Sequence, residues 1–445
     1  MKKKVIFFIT LLVVSILFTP KVLAAETEPT VLVVGEETVV IGNGIELTIV
    51  EPSEEEKSTY GAVIKYGDNK EIKVPADAWV FGGTHNDNST TVNSKITMEG
   101  GQLYAIVGGG LHKSTVDVST ITINGGTLKS VYGGGVASTF FDSPTVEESA
   151  HNYTGTAEES TTRVGTAHIT INGGTLTKYI YGGGMGYNYI ENAFITVNGG
   201  NQTTAILTAG GANGYTGEST VTINDGNIGT IQSVNRGSID TTTLTVEGGT
   251  IGTIYAGGAD NDNTVNGTVN SSAIIVKEGS VDELKVGTNG GSNTSAIDAV
   301  TVTYNKNAVN KIDQTTFSEE SIVEMIKLTF VAEGETDSLE IPVGFAFNES
   351  EIEYLKKELT ETLGNTGYKF DNFYADEDYT TIYDMTSEFT TDTTIYIKLV
   401  QLRQEENQKE VTNPNTSDIS LYATIATIIL ASVGLGYAIK KRKFN

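Results

Sequence analysis

Ile121-Thr-Ile-Asn-Gly-Gly126-Thr-Leu-Lys-Ser-Val-Tyr-Gly-Gly-Gly135 is the stretch that decides the fold. Ile121, Thr122 and Ile123 alternate apolar and polar with β-branched side chains, which suits a strand, and Asn124-Gly125-Gly126 supplies a turn. A second short strand follows from Thr127 to Tyr132, and three glycines turn the chain again. No helix fits in so short a unit. The unit recurs, at Lys95 to Gly101, Ile169-Thr-Ile-Asn-Gly-Gly174, Ile195-Thr-Val-Asn-Gly-Gly200, Val221 to Gly226, Leu244 to Gly249 and Ile275 to Gly279. Its second glycine recurs at spacings of 25, 48, 26, 26, 23 and 30 residues, a period near 25 with one doubled interval. The Tyr-Gly-Gly-Gly segment returns at Tyr181 to Gly184, as Tyr255-Ala-Gly-Gly258, and in altered form at Val107 to Gly110 and Phe81 to Gly83.

A unit of this length cannot bury its own apolar face, so successive units must stack and pair their strands about 4.8 Å apart. The expected fold is therefore mainly β: a parallel β-solenoid (β-helix) of about eight coils over residues 76–305, on the order of 40 Å long. Residues 25–75 form an N-terminal β region that caps it. Ile121, Ile123, Leu128 and Val131 face inward, as do their counterparts in the other coils. An antiparallel sandwich also has regularly spaced strands, but glycines held at one phase favour the solenoid. Fixed phase also stacks Asn124, Asn172, Asn198 and Asn224 in one column, and Tyr132, Tyr181 and Tyr255 in another. Such columns read either as a sugar-binding strip or as ladders that fix register, and the ladder is the simpler reading. The doubled interval holds an insertion, 137–164, with Phe140, Phe141, His151 and Tyr153 as the candidate binding loop; a disordered acidic loop is the alternative.

The two ends carry addresses. Lys2, Lys3 and Lys4, an apolar run from Val5 to Phe18 and the small residues Ala24-Ala25 make a signal peptide over 1–24. Ile419 to Ile439 is 21 residues without a charge, followed by Lys440, Lys441, Arg442 and Lys443, which suits a transmembrane helix with its tail in the cytoplasm. Just before it stand Asn413, Pro414, Asn415, Thr416 and Ser417. This order, a pentapeptide with Pro and Thr, then an apolar span, then a basic tail, resembles the Gram-positive sortase sorting signal, LPxTG or NPxTG. The resemblance implies cleavage between Thr416 and Ser417, with sortase and peptidoglycan as partners, the membrane helix as a stop before sorting, and the cell wall as the destination. Ser417 stands where the family has Gly.

After a linker at 306–325, residues 326–400 read as one α+β unit. Ile326 to Phe330 is a strand, Asn348 and Glu351 form a capping box, and Ile352, Leu355, Leu359 and Leu363 line one helix face that ends at Gly364. Strands follow at Lys369 to Phe373 and Thr394 to Leu399. The aromatic spacing through Tyr368, Phe370, Phe373, Tyr374, Tyr383, Phe389 and Tyr396 resembles the internalin-type B-repeat, also called the Listeria-Bacteroides repeat. That resemblance implies a small β-grasp-like fold and a role in adhesion or display, with Phe373 and Leu399 where members carry Trp. Residues 401–412, charged and aperiodic, read as a stalk.

Charge and composition exclude several functions. The chain has 29 Lys and Arg against 55 Asp and Glu, a net charge of −26, which repels nucleic acid and anionic lipid. It has no cysteine, so disulfides, thiol catalysis and Cys-based metal sites are out. Many β-helices are polysaccharide lyases or hydrolases, which need paired carboxylates or calcium beside a base. Here Asp225, Glu247, Glu278, Asp282 and Glu283 scatter over different coils and turns, and Lys129, Lys178, Arg236, Lys277 and Lys285 join no two of them in a catalytic column. Asp260-Asn-Asp262 opens like a calcium loop but lacks its later ligands. The expectation is a non-enzyme without metal or cofactor, an adhesin or display protein whose ligand is a glycan or a host or matrix protein. The alternatives are a carbohydrate-active β-helix enzyme and an architectural spacer without a ligand.

Overall fold

The computed structural model describes residues 28–34, 37–86, 88–111, 113–137, 162–186, 188–258, 267–286, 297–313, 322–333, 335–363 and 368–401. The signal peptide, the loop residues Phe140, Phe141, His151 and Tyr153, the sorting residues Asn413 to Ser417 and the apolar span 419–439 lie outside them. Among the described residues no helix is long and apolar enough to cross a membrane. Among the described residues the chain is mainly β, 64% strand. It divides into two compact units, the first made of Met1–Ala273, Gly279–Val300 and Lys311–Phe317, the second of the remainder.

The first unit is a β-solenoid of about 7 turns, close to the eight that the repeat spacing predicts. Each full coil contributes a long strand and a short one. The long strands form one parallel ladder, running through Leu47–Val50, Thr90–Met98, Thr115–Ile123, Thr162–Ile171, Asn188–Thr208, Tyr215–Val234 and Ser238–Val246. The short strands form a second, through Glu37–Ile41, Trp79–Phe81, Gln102–Val107, Thr127–Tyr132 and Thr175–Tyr181, then the later parts of the two long segments, then Thr250–Gly258 and Ser280–Lys285. All these pairings are parallel, so the antiparallel sandwich is excluded for this unit. A third, minimal side consists of bridges from Leu111 to Val136 and from Val136 to Met185.

The inward positions are as the alternation predicts: Ile121, Ile123, Leu128 and Val131 are all buried, and so are Ile169, Ile171, Leu176 and Ile180 one coil on. Left-handed backbone falls on the second glycine, φ +86 at Gly126 and +82 at Gly174, while the asparagine before the pair stays in ordinary conformation. Glycine reaches that region without a Cβ penalty, which releases the asparagine side chain for another task.

The Gly-Gly-Gly segments bring backbones close. A Cβ on Gly134 would sit 2.7 Å from the backbone nitrogen of Gly184 and 2.4 Å from Ile190 Cδ1. Facing these glycines is a column of small side chains in register, Ser94, Ser119, Ala167, Ala193, Ser219 and Thr242. Ser94 donates to the Gly108 carbonyl at 2.5 Å and Ser119 to the Gly133 carbonyl at 2.8 Å, so carbonyls that the turn leaves over are satisfied inside the core.

The first unit begins with antiparallel strands. Thr30–Val34 pairs with Glu37–Ile41, and Leu47–Val50, Ala62–Tyr66 and Lys70–Val74 form a meander. In the second unit the strand order is Glu335–Pro342, Ile322–Ala332, Thr393–Gln401, Tyr368–Tyr374, with the central pair parallel and the outer pairs antiparallel. The helix Glu349–Leu363 buries Leu355, Leu359 and Leu363 in the same cluster as Phe330, Phe373 and Phe389. Its start is the predicted capping box, with Glu351 N–H donating to Asn348 Oδ1 and Asn348 N–H donating to Glu351 Oε2, both at 2.9 Å.

Replacing Gly134 by Ala is expected to destabilise the first unit by about 3 kcal/mol, the upper end of overpacking costs, because the atoms it meets are mostly backbone. Urea denaturation followed by far-UV circular dichroism measures this, with Gly67→Ala as control, since a Cβ there meets nothing within 4 Å and only its φ of +48 is strained.

Candidate functional site

The asparagine column is a continuous hydrogen-bonded ladder on the exposed edge of the solenoid. Asn224 Nδ2 donates to Asn198 Oδ1 at 2.7 Å, Asn198 to Asn172 at 2.7 Å, and Asn172 to Asn124 at 2.8 Å. Asn124 Nδ2 then donates to Glu99 Oε1 at 2.9 Å. Every amide points the same way, and the chain of donors ends on a carboxylate, the strongest available acceptor. Each carboxamide still has one N–H and one lone pair free for an outside partner. Sequence phase predicts the column; the role of Glu99 as its terminus appears only once Glu99 is seen to occupy the asparagine position of an earlier coil.

Beside Glu99 a groove of about 490 Å³ opens between the segment after Val50 and the turns at Gly101 and Gly126. Its walls include Glu51, Lys57, Tyr60, Gln102 and Thr127. Lys57 is engaged by Glu51 and Glu54, each at 2.7 Å. Hydrogen bonding to Glu51 holds its ammonium above the usual value, the opposite of what a proton-abstracting lysine needs.

The tyrosine column is corrected by the structure in two respects. Tyr132 and Tyr181 do stack, ring centroids 5.4 Å apart, but both are buried at 1% exposure. They pack with Trp79, Phe81, Leu111 and Val136 in a second core on the side of the bridged segment, so they offer nothing to a sugar. Tyr255 does not join them, because register puts Thr208 and then Gln232 between Tyr181 and Tyr255. Followed coil by coil, this one position is apolar or aromatic through Tyr181, then a hydroxyl at Thr208 and an amide at Gln232, and it reaches Lys285 beyond Tyr255. Burial pushes both buried phenols up, strongly for Tyr181, whose oxygen accepts from Asn235 Nδ2 at 2.9 Å.

Aromatic side chains do appear on the outside, at positions that sequence reasoning passed over. His168 stacks on Phe194 at 5.0 Å, and Tyr189 on Tyr215 at 5.2 Å with Arg163 covering Tyr189 at 5.0 Å. Tyr215 donates to Asp240 and its phenol is pushed up to about 12, first by that bond and then by burial. The rings lie face to face, so each pair covers one face of each ring, and Phe194 stays 40% exposed. A signal was present in the sequence, since His168 and Phe194 both precede the first Ile of the repeat.

Glu283 binds Lys311 at 2.5 Å and Lys285 at 3.4 Å, and the hydrogen bond from Lys311 lowers its pKa. No group of three or more His, Asp or Glu placed to hold a metal ion occurs among the described residues. The Asp260 to Asp262 segment lies outside them. Comparison of the chain with known protein families, with curated proteins and with solved structures gives no match.

Two outcomes test the columns. Asn172→Asp removes the donor to Asn124 and sets a carboxylate oxygen against Asn124 Oδ1, so the new carboxyl has a raised folded pKa. The deficit relative to the parent is then about 1–2 kcal/mol at pH 7 and shrinks toward pH 3, where the group is protonated, as urea midpoints at the two pH values report. For the buried phenols the folded pKa also lies above the unfolded value near 10, so their stability contribution is full below about pH 10 and is lost as pH rises. Ultraviolet titration of the 20 tyrosines should show Tyr132 and Tyr181 ionising only as the solenoid unfolds, and Tyr132→Phe plus Tyr181→Phe should remove that late step.

Proposed function

We propose that this chain is a secreted surface protein, anchored to the cell wall of a Gram-positive-type bacterium, that holds out a rigid acidic solenoid for adhesion or display. The observation that carries the reading is the order at the C-terminal end: Pro414 and Thr416, then the uncharged run 419–439, then Lys440 to Lys443. With the signal peptide at the other end, this places everything between them outside the cell. Sortase would join Thr416 to peptidoglycan and release the apolar span. In this reading residues 326–400, which hold the helix Glu349–Leu363 and a four-stranded mixed sheet, are a β-grasp-like B-repeat standing next to the wall.

The solenoid supports contact more than chemistry. Its exposed edge repeats one carboxamide from coil to coil, which suits a long hydroxyl-bearing ligand touched at many equivalent points, such as a glycan, or the surface of a host or matrix protein. Among its described residues Glu51, Glu54 and Glu283 are held in ion pairs with lysines, which favours a structural use of those carboxylates.

Mass spectrometry of wall fragments released by a peptidoglycan hydrolase tests the anchor. Chains ending at Thr416 and carrying wall peptide are expected, and chains intact to Asn445 would leave only a membrane anchor. For the contact role, cells bearing the full chain should bind a glycan or matrix array above cells lacking it. Equal binding by the two would favour a spacer.

A further inference from the structure

The two sheets of the solenoid end differently at the N-terminal side. In the long-strand sheet the last strand is Lys70–Val74, which carries Lys70, Glu71 and Lys73. Those charges are paired, Lys70 with Glu28 at 2.5 Å, Lys73 with Glu56 at 2.5 Å and with Glu71 at 3.5 Å. Charges along an outer strand stop other chains from adding to it. In the short-strand sheet the last strand is Thr30–Val34, Thr-Val-Leu-Val-Val, with no charge at all. It pairs with Glu37–Ile41 on one side and, among the described residues, with nothing on the other. Val31 is 49% exposed and Val33 76%, the latter the most exposed large apolar side chain of those described. Leu32, between them, turns inward onto the core that holds Trp79 and Tyr132.

We propose that this open strand pairs with the same strand of a second copy, antiparallel about a twofold axis through Leu32. The register decides the partner. Centring on Leu32 puts Val31 opposite Val33 of the other copy and Thr30 opposite Val34, so the two exposed valines of each chain cover those of the other on one face. The two Leu32 side chains meet on the opposite face, where each continues its own core. Cross-strand valine pairs and a new row of backbone bonds are the gain, and a twofold contact needs no second surface. Two short-strand ladders then run on as one sheet through both rods. A five-residue strand buries less than the roughly 1,000 Å² of a stable interface, and two chains of net charge −26 repel. The pairing is consequently weak, depends on concentration and strengthens with salt. It does not rest on the adhesion reading and holds whether or not the protein binds a ligand.

The absence of cysteine gives a clean assay in the full chain. Leu32→Cys places two thiols opposite each other across the axis, within reach of a disulfide. Under mild oxidation it should form covalent dimer at least about tenfold faster than Ile72→Cys on the charged strand, and faster still at high salt. Val31→Cys and Val33→Cys should each dimerise poorly alone and well when mixed, because register pairs 31 with 33. Adding Val33→Lys, a change on an exposed position that spares folding, should abolish the Leu32→Cys dimer. Equal rates for Leu32→Cys and Ile72→Cys, or no gain on mixing the two valine variants, would overturn the proposal.

Discussion

Everything in the first unit depends on one distance, the separation of about 4.8 Å at which one coil pairs its backbone with the next. A parallel coil of two strands satisfies its N–H and C=O groups only through its neighbours, so each coil must repeat the shape of the last. Glycine follows from this wherever backbones approach without room for a Cβ, as at Gly134 beside Gly184. Small residues follow too: Ser119 and Ala167 succeed each other opposite the glycines, where a larger side chain would push the turn outward. The asparagine ladder is a third consequence. Once coils are held at that spacing, a carboxamide on one coil lies within hydrogen-bond reach of the same carboxamide on the next.

This dependence explains which features were legible in the sequence. A constraint that acts identically on every coil writes itself as a repeat, so the inward Ile121, Ile123, Leu128 and Val131, the glycine phase and the Asn124 to Asn224 column could all be read from spacing. What varies from coil to coil could not. Tyr132, Tyr181 and Tyr255 share a motif, yet register interposes Thr208 and Gln232, whose coils lack the Tyr-Gly-Gly-Gly signature and drop out of a motif search. Their burial was hidden for another reason. The segment bearing Leu111, Val136 and Met185 is too short to show periodicity, and without it the tyrosines appear to face solvent. In the second unit the helix was legible because capping is local: Asn348 and Glu351 are three residues apart and solve the problem of the first turn between them.

The exterior and the interior therefore carry different kinds of information. Inside, Tyr181 meets Asn235 and Gln232 donates to Thr208 at 3.0 Å, polar contacts that occur once each and belong to particular coils. Such contacts fix which coil stacks on which, a problem for any repeat, since identical coils could slip by one unit at little cost. Outside, the asparagines repeat the same donor and acceptor. A surface of that kind gains from multiplicity, because a ligand that repeats can meet several coils at once, each weakly.

The ends are where a repeat cannot supply its own solution. An interior coil is satisfied on both sides, but the first has no predecessor, and a strand edge left there is a template for whatever strand arrives. Two answers coexist at the N-terminal side. The meander from Leu47 to Val74 turns the chain antiparallel and finishes on a strand of paired charges, which closes that sheet against addition. The hairpin of Thr30–Val34 and Glu37–Ile41 also turns antiparallel, which covers the first short strand, yet its own outer edge is apolar and uncharged. Had closure been the only demand, a lysine at Val31 or Val33 would have met it, since both side chains already point to solvent and no packing stands in the way. The asymmetry between two edges of one solenoid is thus a difference in chemistry, and chemistry of this kind favours a partner strand over water.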